Sequence, residues 1–231
     1  MNSSLSEILK HLKKLGTKQR AIWDQNYHKS KREHWGVPTP SCTQYAHSLL
    51  GVFGIESALP LAKALWETDL FDPMICATKL LSLPKVKPSQ ALWKLIVDFL
   101  KQVDGWALED QLAPAARKCI LADESLLDEL EKWTYHENFW MRRAALIYTL
   151  PYAKPGYDPE RMLSWAARYA TDSEWFIQKA IGWWLRVLGE HNPARVMQFL
   201  EVHSDTLKPV AKKEASRKLA SKVKDAQKSE S

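Results

Sequence analysis

Two segments of the chain are alike in sequence: NFWMRRAA at 138–145 and EWFIQKAI at 174–181. Their alignment places Arg143 over Lys179, 36 residues later, and a weaker third copy lies at 73–78. A pair of helices repeated at this period is typical of α-solenoids of the HEAT, armadillo or TPR kind, in which the repeats stack into a concave surface. We therefore expect an all-α fold, a curved α-solenoid of HEAT-like helical repeats.

Helix starts along the chain are marked by a capping residue followed by proline. Four such pairs occur: Thr39-Pro40, Asp72-Pro73, Asp158-Pro159 and Asn192-Pro193. Apolar residues recur at helical spacing, and the one Asp-Gly pair, Asp104-Gly105, is followed by no alternating strand pattern. The sequence thus predicts about a dozen short helices and no strand.

The composition is that of an ordinary folded domain. The chain has 231 residues, of which 45% are hydrophobic and 26% charged, which is enough to bury a core. We expect a single domain over 1–225 and a disordered tail at 226–231. No apolar run approaches the ~18 residues of a membrane span, and the first residues carry no leader pattern, so we expect neither a membrane partner nor a secretory signal.

Residues that bind metals or form disulfides are scarce. Cys42, Cys76 and Cys119 are widely spaced in apolar contexts, which favours buried, reduced thiols. CxxC and HExxH motifs are absent, and the seven histidines form no ligand pattern, so we expect surface or capping roles for them. The sequence predicts neither a metal site nor a cofactor.

The chain is basic and rich in tryptophan, with a net charge of +6, a pI of about 9.1 and eleven indoles. A basic surface attracts polyanions such as nucleic acid, and aromatic side chains stack against bases or sugars. Residues 208–224 hold seven lysines and arginines against one acid, Glu214. This run is either a solvated helix face or a helix end that contacts phosphates.

Trp106 and Asp110 lie four residues apart, so they share one face of a helix. A carboxylate beside an indole suits a cationic intermediate, because the anion stabilises positive charge and the ring contacts polarised C–H groups. The alternative is a core tryptophan with a surface acid. Glu109 and Asp104 are further acids nearby, and the spacing to Trp106 favours Asp110, with Glu109 second.

A second face combines Lys179, Trp183 and Arg186, at positions i, i+4 and i+7 of a predicted helix. A basic–aromatic–basic face is typical of surfaces that bind nucleic acid. The alternative is that Trp183 and Trp184 pack between helices while the two cations are solvated. Gly182 inside this helix permits the close approach of a neighbour or a ligand.

Together these segments resemble the AlkD-like DNA alkylation repair family, whose members are DNA glycosylases built from HEAT-like repeats. The resemblance covers about 23–219 of the chain. It is carried by GVPTP at 36–40, LWE at 65–67, Trp106 with Asp110, FWMRRAA at 139–145 and FIQKAIGW at 176–183. The first segment departs from the family pattern at Pro38, where a polar residue is expected.

The resemblance implies hydrolysis of the N-glycosidic bond of cationic alkylated purines, such as 3-methyladenine and 7-methylguanine, in duplex DNA without classical base flipping. It implies catalytic roles for Asp110 as the anion and for Trp106 and Trp183 as aromatic faces against the deoxyribose. It also implies DNA contacts from these residues: Thr39, Arg142, Arg143, Lys179 and Arg186. No cofactor or metal is implied.

Two other functions stay open at this point. A non-catalytic paralogue would bind distorted or branched DNA without releasing a base, since relatives can keep a fold without its activity. A helical-repeat scaffold would bind a protein through an apolar groove, for which the sequence holds no clear pattern. For the leading interpretation we expect a monomer that binds double-stranded DNA carrying alkylated bases, in the cytoplasm or, in a bacterium, at the nucleoid.

Overall fold

The computed structural model describes residues 2–219, and within that range the secondary structure is helical, without a strand. The chain divides into two compact units, Met1–Asp123 and Glu124–Ser231, here called the N-terminal and the C-terminal unit. The all-α prediction is confirmed. The single domain over 1–225 stays a prediction, and the tail at 226–231 lies outside the described residues. None of the helices found between residues 2 and 219 has the length and apolarity needed to cross a membrane.

Seven α-helices form the described part of the N-terminal unit. They are α1 (Asn2–Lys14), α2 (Lys18–His28), α3 (Thr39–Phe53), α4 (Ala58–Trp66), α5 (Phe71–Ser82), α6 (Gln90–Leu100) and α7 (Trp106–Ala122). Helix α5 lies at the centre and packs against α3, α4 and α7, so ten of its twelve residues are buried. Cys42, Cys76 and Cys119 are free and buried, as predicted.

Six α-helices form the described part of the C-terminal unit. They are α8 (Leu126–Trp133), α9 (Phe139–Tyr148), α10 (Glu160–Arg168), α11 (Trp175–Gly189), α12 (Pro193–Val202) and α13 (Pro209–Ala215). Helix α11 is central here and packs against α9, α12 and α13. Helix α7, which carries Trp106 and Asp110, and helix α11, which carries Lys179, Trp183 and Arg186, are therefore anchored in the packed part of their own units.

Hydrogen bonds inside each unit recur at a nearly constant separation in sequence. In the N-terminal unit the indole Nε1 of Trp66 donates to Oε1 of Gln102, 36 residues later. In the C-terminal unit the indole Nε1 of Trp184 donates to the carbonyl of Thr149, 35 residues earlier. Because this separation matches the period of the sequence echo, the predicted repeat of helix pairs is confirmed within each unit.

A buried polar side chain also recurs once per repeat, on α5, α7, α9, α11 and α13. The series is Asp72, Glu109, Arg143, Gln178 and Glu214, at intervals of 34–37 residues. Asp72 accepts hydrogen bonds from the backbone N–H groups of Trp35 and Val37, at 2.6 and 2.7 Å. The amide of Gln178 donates to the carbonyl of Tyr169 at 3.0 Å. The bonds of Asp72 and Gln178 satisfy backbone groups of two loops and hold those loops in place.

The predicted helix starts are confirmed only in part. Asn192 caps α12, since its side chain accepts the backbone N–H of Arg195 at 3.1 Å. Helix α10 begins at Glu160, two residues after Asp158, so Asp158 is not the residue directly before the helix. The prediction that Asp72 caps its own helix is wrong, because α5 begins at Phe71 and the carboxylate bonds the loop before α3 instead.

Candidate functional site

The indole of Trp106 lies at the first residue of α7, next to aromatic side chains of α2. The ring of Tyr27 meets it edge-on, with centroids 5.4 Å apart, and the His28 ring lies at 5.5 Å. Trp23, one turn earlier, stacks on Tyr27 at 4.9 Å. Trp23 and Tyr27 are each more than half exposed. The N-terminal unit therefore presents an open aromatic surface that continues to Trp106.

The loop between α2 and α3 is fastened close to this surface. Asp104, two residues before Trp106, accepts hydrogen bonds from the Ser30 hydroxyl at 2.8 Å and the Lys31 backbone N–H at 3.0 Å. It also forms an ion pair with Arg32. Since the loop occupies this carboxylate, Asp104 has a structural role.

Those two neighbouring acids differ sharply in exposure. Glu109 is completely buried, at 0% of its surface, whereas Asp110 is partly exposed. Asp110 lies one helical turn after Trp106, so the two residues share a side of α7. A ligand that arrives from solvent meets Asp110 and not Glu109, which supports the choice that the spacing favoured.

The surroundings of Asp110 change its acidity. Burial raises the pKa of the Asp110 carboxyl to about 7, and the positive charge of Arg117 on the same helix offsets part of this rise. The group therefore changes its charge near neutral pH. Carboxyl groups perturbed in this way are concentrated at functional sites.

A histidine pair beside the aromatic surface was missed by the sequence analysis. His28 Nδ1 lies 3.4 Å from His34 Nε2, and His34 Nδ1 lies 2.8 Å from the carbonyl oxygen of Arg32. Both imidazoles stack on Phe71, with centroids 4.8 and 3.9 Å away. The predicted surface or capping role is wrong for His34, which is buried. Isolated histidines six residues apart, outside a helical pattern, carry no signal for such a stack.

Thr39, a predicted DNA contact, is the first residue of α3 and is partly exposed. Pro38 precedes it, and no side chain among the described residues caps this helix end. The first N–H groups of a helix are unpaired donors that suit a phosphate. The DNA contact itself stays a prediction.

In the C-terminal unit, α11 carries Lys179, Trp183 and Arg186 along one side, and all three are partly exposed. Lys179 Nζ and Arg186 Nη1 both donate to the carboxylate of Glu214 on α13. The alternative in which these two cations are only solvated is therefore incomplete, because both are also paired with Glu214. Trp184, by contrast, is fully buried, so it is the indole that packs between helices while Trp183 stays partly accessible.

The two arginines of α9 have different surroundings. Arg143 is 3% exposed, and its guanidinium lies 5.9 Å from the centroid of the Trp140 ring. Burial lowers the pKa of Arg143 to about 10. Arg142 is partly exposed, and its Nη groups donate to the Asp172 carboxylate at 3.1 Å and to the His136 carbonyl at 2.8 Å.

Burial changes the interpretation of Arg143. The sequence echo aligns Arg143 with the partly exposed Lys179, but in the structure Arg143 is buried, like Gln178. The two aligned cations are therefore not equivalent surface groups on α9 and α11. Contacts from Arg142 and Arg143 to phosphate stay predictions, and Arg142 is the more accessible of the two.

The described part of the chain also has two surface grooves. Within residues 2–219, no group of three or more histidine, cysteine or acidic side chains is arranged to hold a metal ion. One groove of about 340 Å³ is lined by α4 and α6, and another of about 290 Å³ by α1 and α3. Neither groove is lined by Trp106 or Asp110.

Both the sequence and the fold of this chain are similar to those of known proteins. The family model for DNA alkylation repair enzymes matches residues 8–219. A solved structure described as a predicted DNA alkylation repair enzyme from Enterococcus faecalis is 23% identical, with 89% of this chain and 97% of that chain covered and a TM-score of 0.78. AlkD2 from Streptococcus mutans is 19% identical, with coverages of 86% and 97% and a TM-score of 0.62. The smu.31 protein from Streptococcus mutans UA159 is also 19% identical, with coverages of 76% and 98% and a TM-score of 0.54.

The solved structures, at these identities, show a shared helical-repeat fold. Among curated proteins, none matches this chain. The family model extends over most of the chain and includes α1 to α13 apart from the first turns of α1. The resemblance inferred from the sequence is confirmed: the chain belongs to the DNA alkylation repair enzyme family.

Proposed function

We propose that this protein is a monofunctional DNA glycosylase that removes cationic alkylated purines, such as 3-methyladenine and 7-methylguanine, from duplex DNA. The observation that carries the proposal is the partly exposed Asp110, one turn from Trp106 on α7, in a member of a DNA alkylation repair family. Its pKa of about 7 places its change of charge in the neutral range.

The chemistry follows from the charge of the damaged base. A purine alkylated at N3 or N7 is positively charged, and it leaves as a neutral base when the electron pair of the N-glycosidic bond moves to it. The deoxyribose then carries the positive charge, as in other glycoside hydrolyses. An ionised Asp110 stabilises this charge, a water oxygen bonds to C1′, and the water proton passes to the carboxylate or to solvent.

Aromatic side chains supply the second part of the site. The indole face of Trp106 contacts sugar C–H groups, whose positive character grows as the bond breaks. Tyr27 and Trp23 extend this surface along the DNA. We assign Trp183 as a further aromatic contact to the DNA. Because a cationic base is already a good leaving group, the base need not be flipped into a closed pocket to be protonated.

Double-stranded DNA is held by cations that neutralise phosphates. Lys179 and Arg186 are the partly exposed cations of α11, and Arg142 adds another on α9. The open N-terminus of α3 at Thr39 offers backbone N–H donors. A monomer acting where the chromosomal DNA lies, in the cytoplasm or at the nucleoid, fits this proposal.

The test is an assay of base release. Duplex DNA methylated with a labelled methyl donor is incubated with the protein, and released bases and abasic sites are measured by chromatography and by alkaline strand cleavage. We expect release of 3-methyladenine and 7-methylguanine, with strand breaks only after alkali. Salt-sensitive binding to the same DNA without release would instead assign the non-catalytic role of a protein that recognises distorted or branched DNA.

A further inference from the structure

Glu214 is the one acid in the basic run at 208–224, and the structure buries it. It lies on α13 and is 4% exposed. Its carboxylate accepts hydrogen bonds from Lys179 Nζ and Arg186 Nη1 of α11, and Arg217 Nη1 lies 3.4 Å away. Three cations from two segments of the chain thus surround one carboxylate.

The close packing of α13 on α11 puts the carboxylate there. A Cβ atom at Gly182 would lie 2.5 Å from Glu214 Cβ and 2.8 Å from the Ala211 carbonyl oxygen. These distances are shorter than van der Waals contact, so a glycine is needed at this position. Gly182 directly precedes Trp183, and the contact therefore brings Glu214 between the two cations that flank this indole on α11.

The cations keep donors for a ligand. The Lys179 and Arg186 side chains remain 34% and 24% exposed. Each gives one N–H to Glu214, whereas an ammonium has three donors and a guanidinium five. The ion pairs therefore fix the positions of both charged groups without consuming their capacity to bind phosphate oxygens.

We propose that Glu214 is a positioning residue for DNA binding, which holds Lys179 and Arg186 at a fixed spacing on either side of Trp183 so that they meet successive phosphates. The inference rests on the proposed function in one respect, that the ligand of this face is DNA. Side chains fixed before binding lose less conformational entropy when the ligand arrives. The buried acid thus strengthens the binding of a polyanion.

This role predicts a change in DNA affinity opposite in direction to the change that charge alone predicts. Removal of the Glu214 charge makes the surface more positive by one unit, which by charge alone would tighten DNA binding. If Glu214 positions the cations, the same change releases two flexible side chains into solvent and weakens binding. The direction of the change therefore separates the two accounts.

The experiment measures binding of undamaged duplex DNA to the full-length protein by fluorescence anisotropy at several salt concentrations. We expect Glu214→Gln to bind roughly 3–10-fold more weakly, with a salt slope shallower by about one, since one phosphate contact contributes about 0.9 to the slope. Glu160→Gln is the matched control, because Glu160 forms a two-point ion pair with Arg195 in the same unit, at 2.7 and 2.8 Å. It should bind like the wild type.

Further variants separate positioning from stability. Glu214→Asp keeps the charge and should restore part of the affinity. Gly182→Ala keeps every charge but moves α13 away, so it should also weaken DNA binding. It carries the test if Glu214→Gln does not fold.

Tighter or unchanged DNA binding by Glu214→Gln, with wild-type binding intact, overturns this inference alone. Absence of duplex binding by the wild type overturns the proposed function as well.

Discussion

Asp110 on α7 and Glu214 on α13 are two carboxylates whose pKa values shift in opposite directions. At Asp110 burial dominates and raises the pKa, with only partial compensation from the charge of Arg117. At Glu214 burial also raises the pKa, but the contacts with Lys179 and Arg186 outweigh it and lower the pKa below its ordinary value. One cation offsets the burial of Asp110, whereas three cations surround Glu214, so Glu214 is already paired with the protein's own charges.

Among the variants that test the difference between Asp110 and Glu214, Asp110→Asn is expected to have the largest effect. Loss of the carboxylate removes the charge that stabilises the sugar cation, so single-turnover release of 3-methyladenine should fall about 10²–10³-fold. DNA affinity should stay within about twofold, because Asp110 contributes no attraction to phosphates. Base release is measured by chromatography and affinity by anisotropy.

Asp98→Asn provides the matched control for that variant. Asp98 is a partly exposed acid of α6 in the same unit, paired with Lys94 at 2.9 Å. Its replacement changes the net charge equally but should leave base release unchanged. Equal rates of base release by Asp110→Asn and Asp98→Asn would show that Asp110 has no part in the reaction. Asp110 and Glu214 would then not differ in function.

The pH dependence gives the next largest effect. A carboxyl group with a pKa of about 7 is mostly protonated at pH 6 and mostly ionised at pH 8. Since only the ionised form stabilises a cation, base release at saturating enzyme should rise about tenfold between these pH values. A pH profile that is flat over this range would show that the charge of Asp110 does not limit the reaction.

On the other side of the comparison, Lys179→Ala should act on binding and not on chemistry. We expect several-fold weaker duplex binding and a salt slope reduced by about one, with the single-turnover rate at saturation unchanged. Lys94→Ala, on an exposed helix face of the other unit, is the control and should leave the slope unchanged. A lower saturated rate with an unchanged slope would assign Lys179 to the chemistry instead.

The smallest predicted effect concerns stability. The pKa of Asp110 is higher in the folded protein than its ordinary value of 3.8, so ionisation of this group disfavours the fold. The cost is absent near pH 4, grows as the pH rises and is complete above about pH 7. Asp110→Asn should therefore raise Tm at pH 8 by roughly 2–4 °C for each kcal/mol recovered, and not at pH 4. Thermal unfolding followed by circular dichroism at both pH values checks this sign.

The sequence was sufficient to predict the architecture because helical repeats leave periodic signals. The echo of 138–145 at 174–181 predicted a period of 36 residues, and hydrogen bonds such as that from Trp66 to Gln102 recur at this separation. The position of Asp110 one turn after Trp106 likewise follows from spacing alone. Local patterns of this kind survive folding because a helix fixes which side each residue faces.

The burial of individual side chains and the residues that they contact were harder to predict from the sequence. Arg143 and Lys179 align in sequence, yet one is buried and the other partly exposed. Glu214 stands 35 residues from Lys179, and the packing of α13 on α11, which is close at Gly182, brings the two side chains together. The burial of His34 follows from its stacking on Phe71, which no local pattern predicts. Such contacts depend on tertiary packing, to which a single sequence gives little access.

The most direct test of the account compares lesions of different charge. Single-turnover release is measured for duplexes carrying cationic 3-methyladenine or a neutral lesion such as O6-methylguanine, with wild type and Asp110→Asn. We predict release of the cationic base alone, and its loss in Asp110→Asn. Release of both bases by the wild type, or release of the cationic base at the wild-type rate by Asp110→Asn, would contradict the central role of this carboxylate.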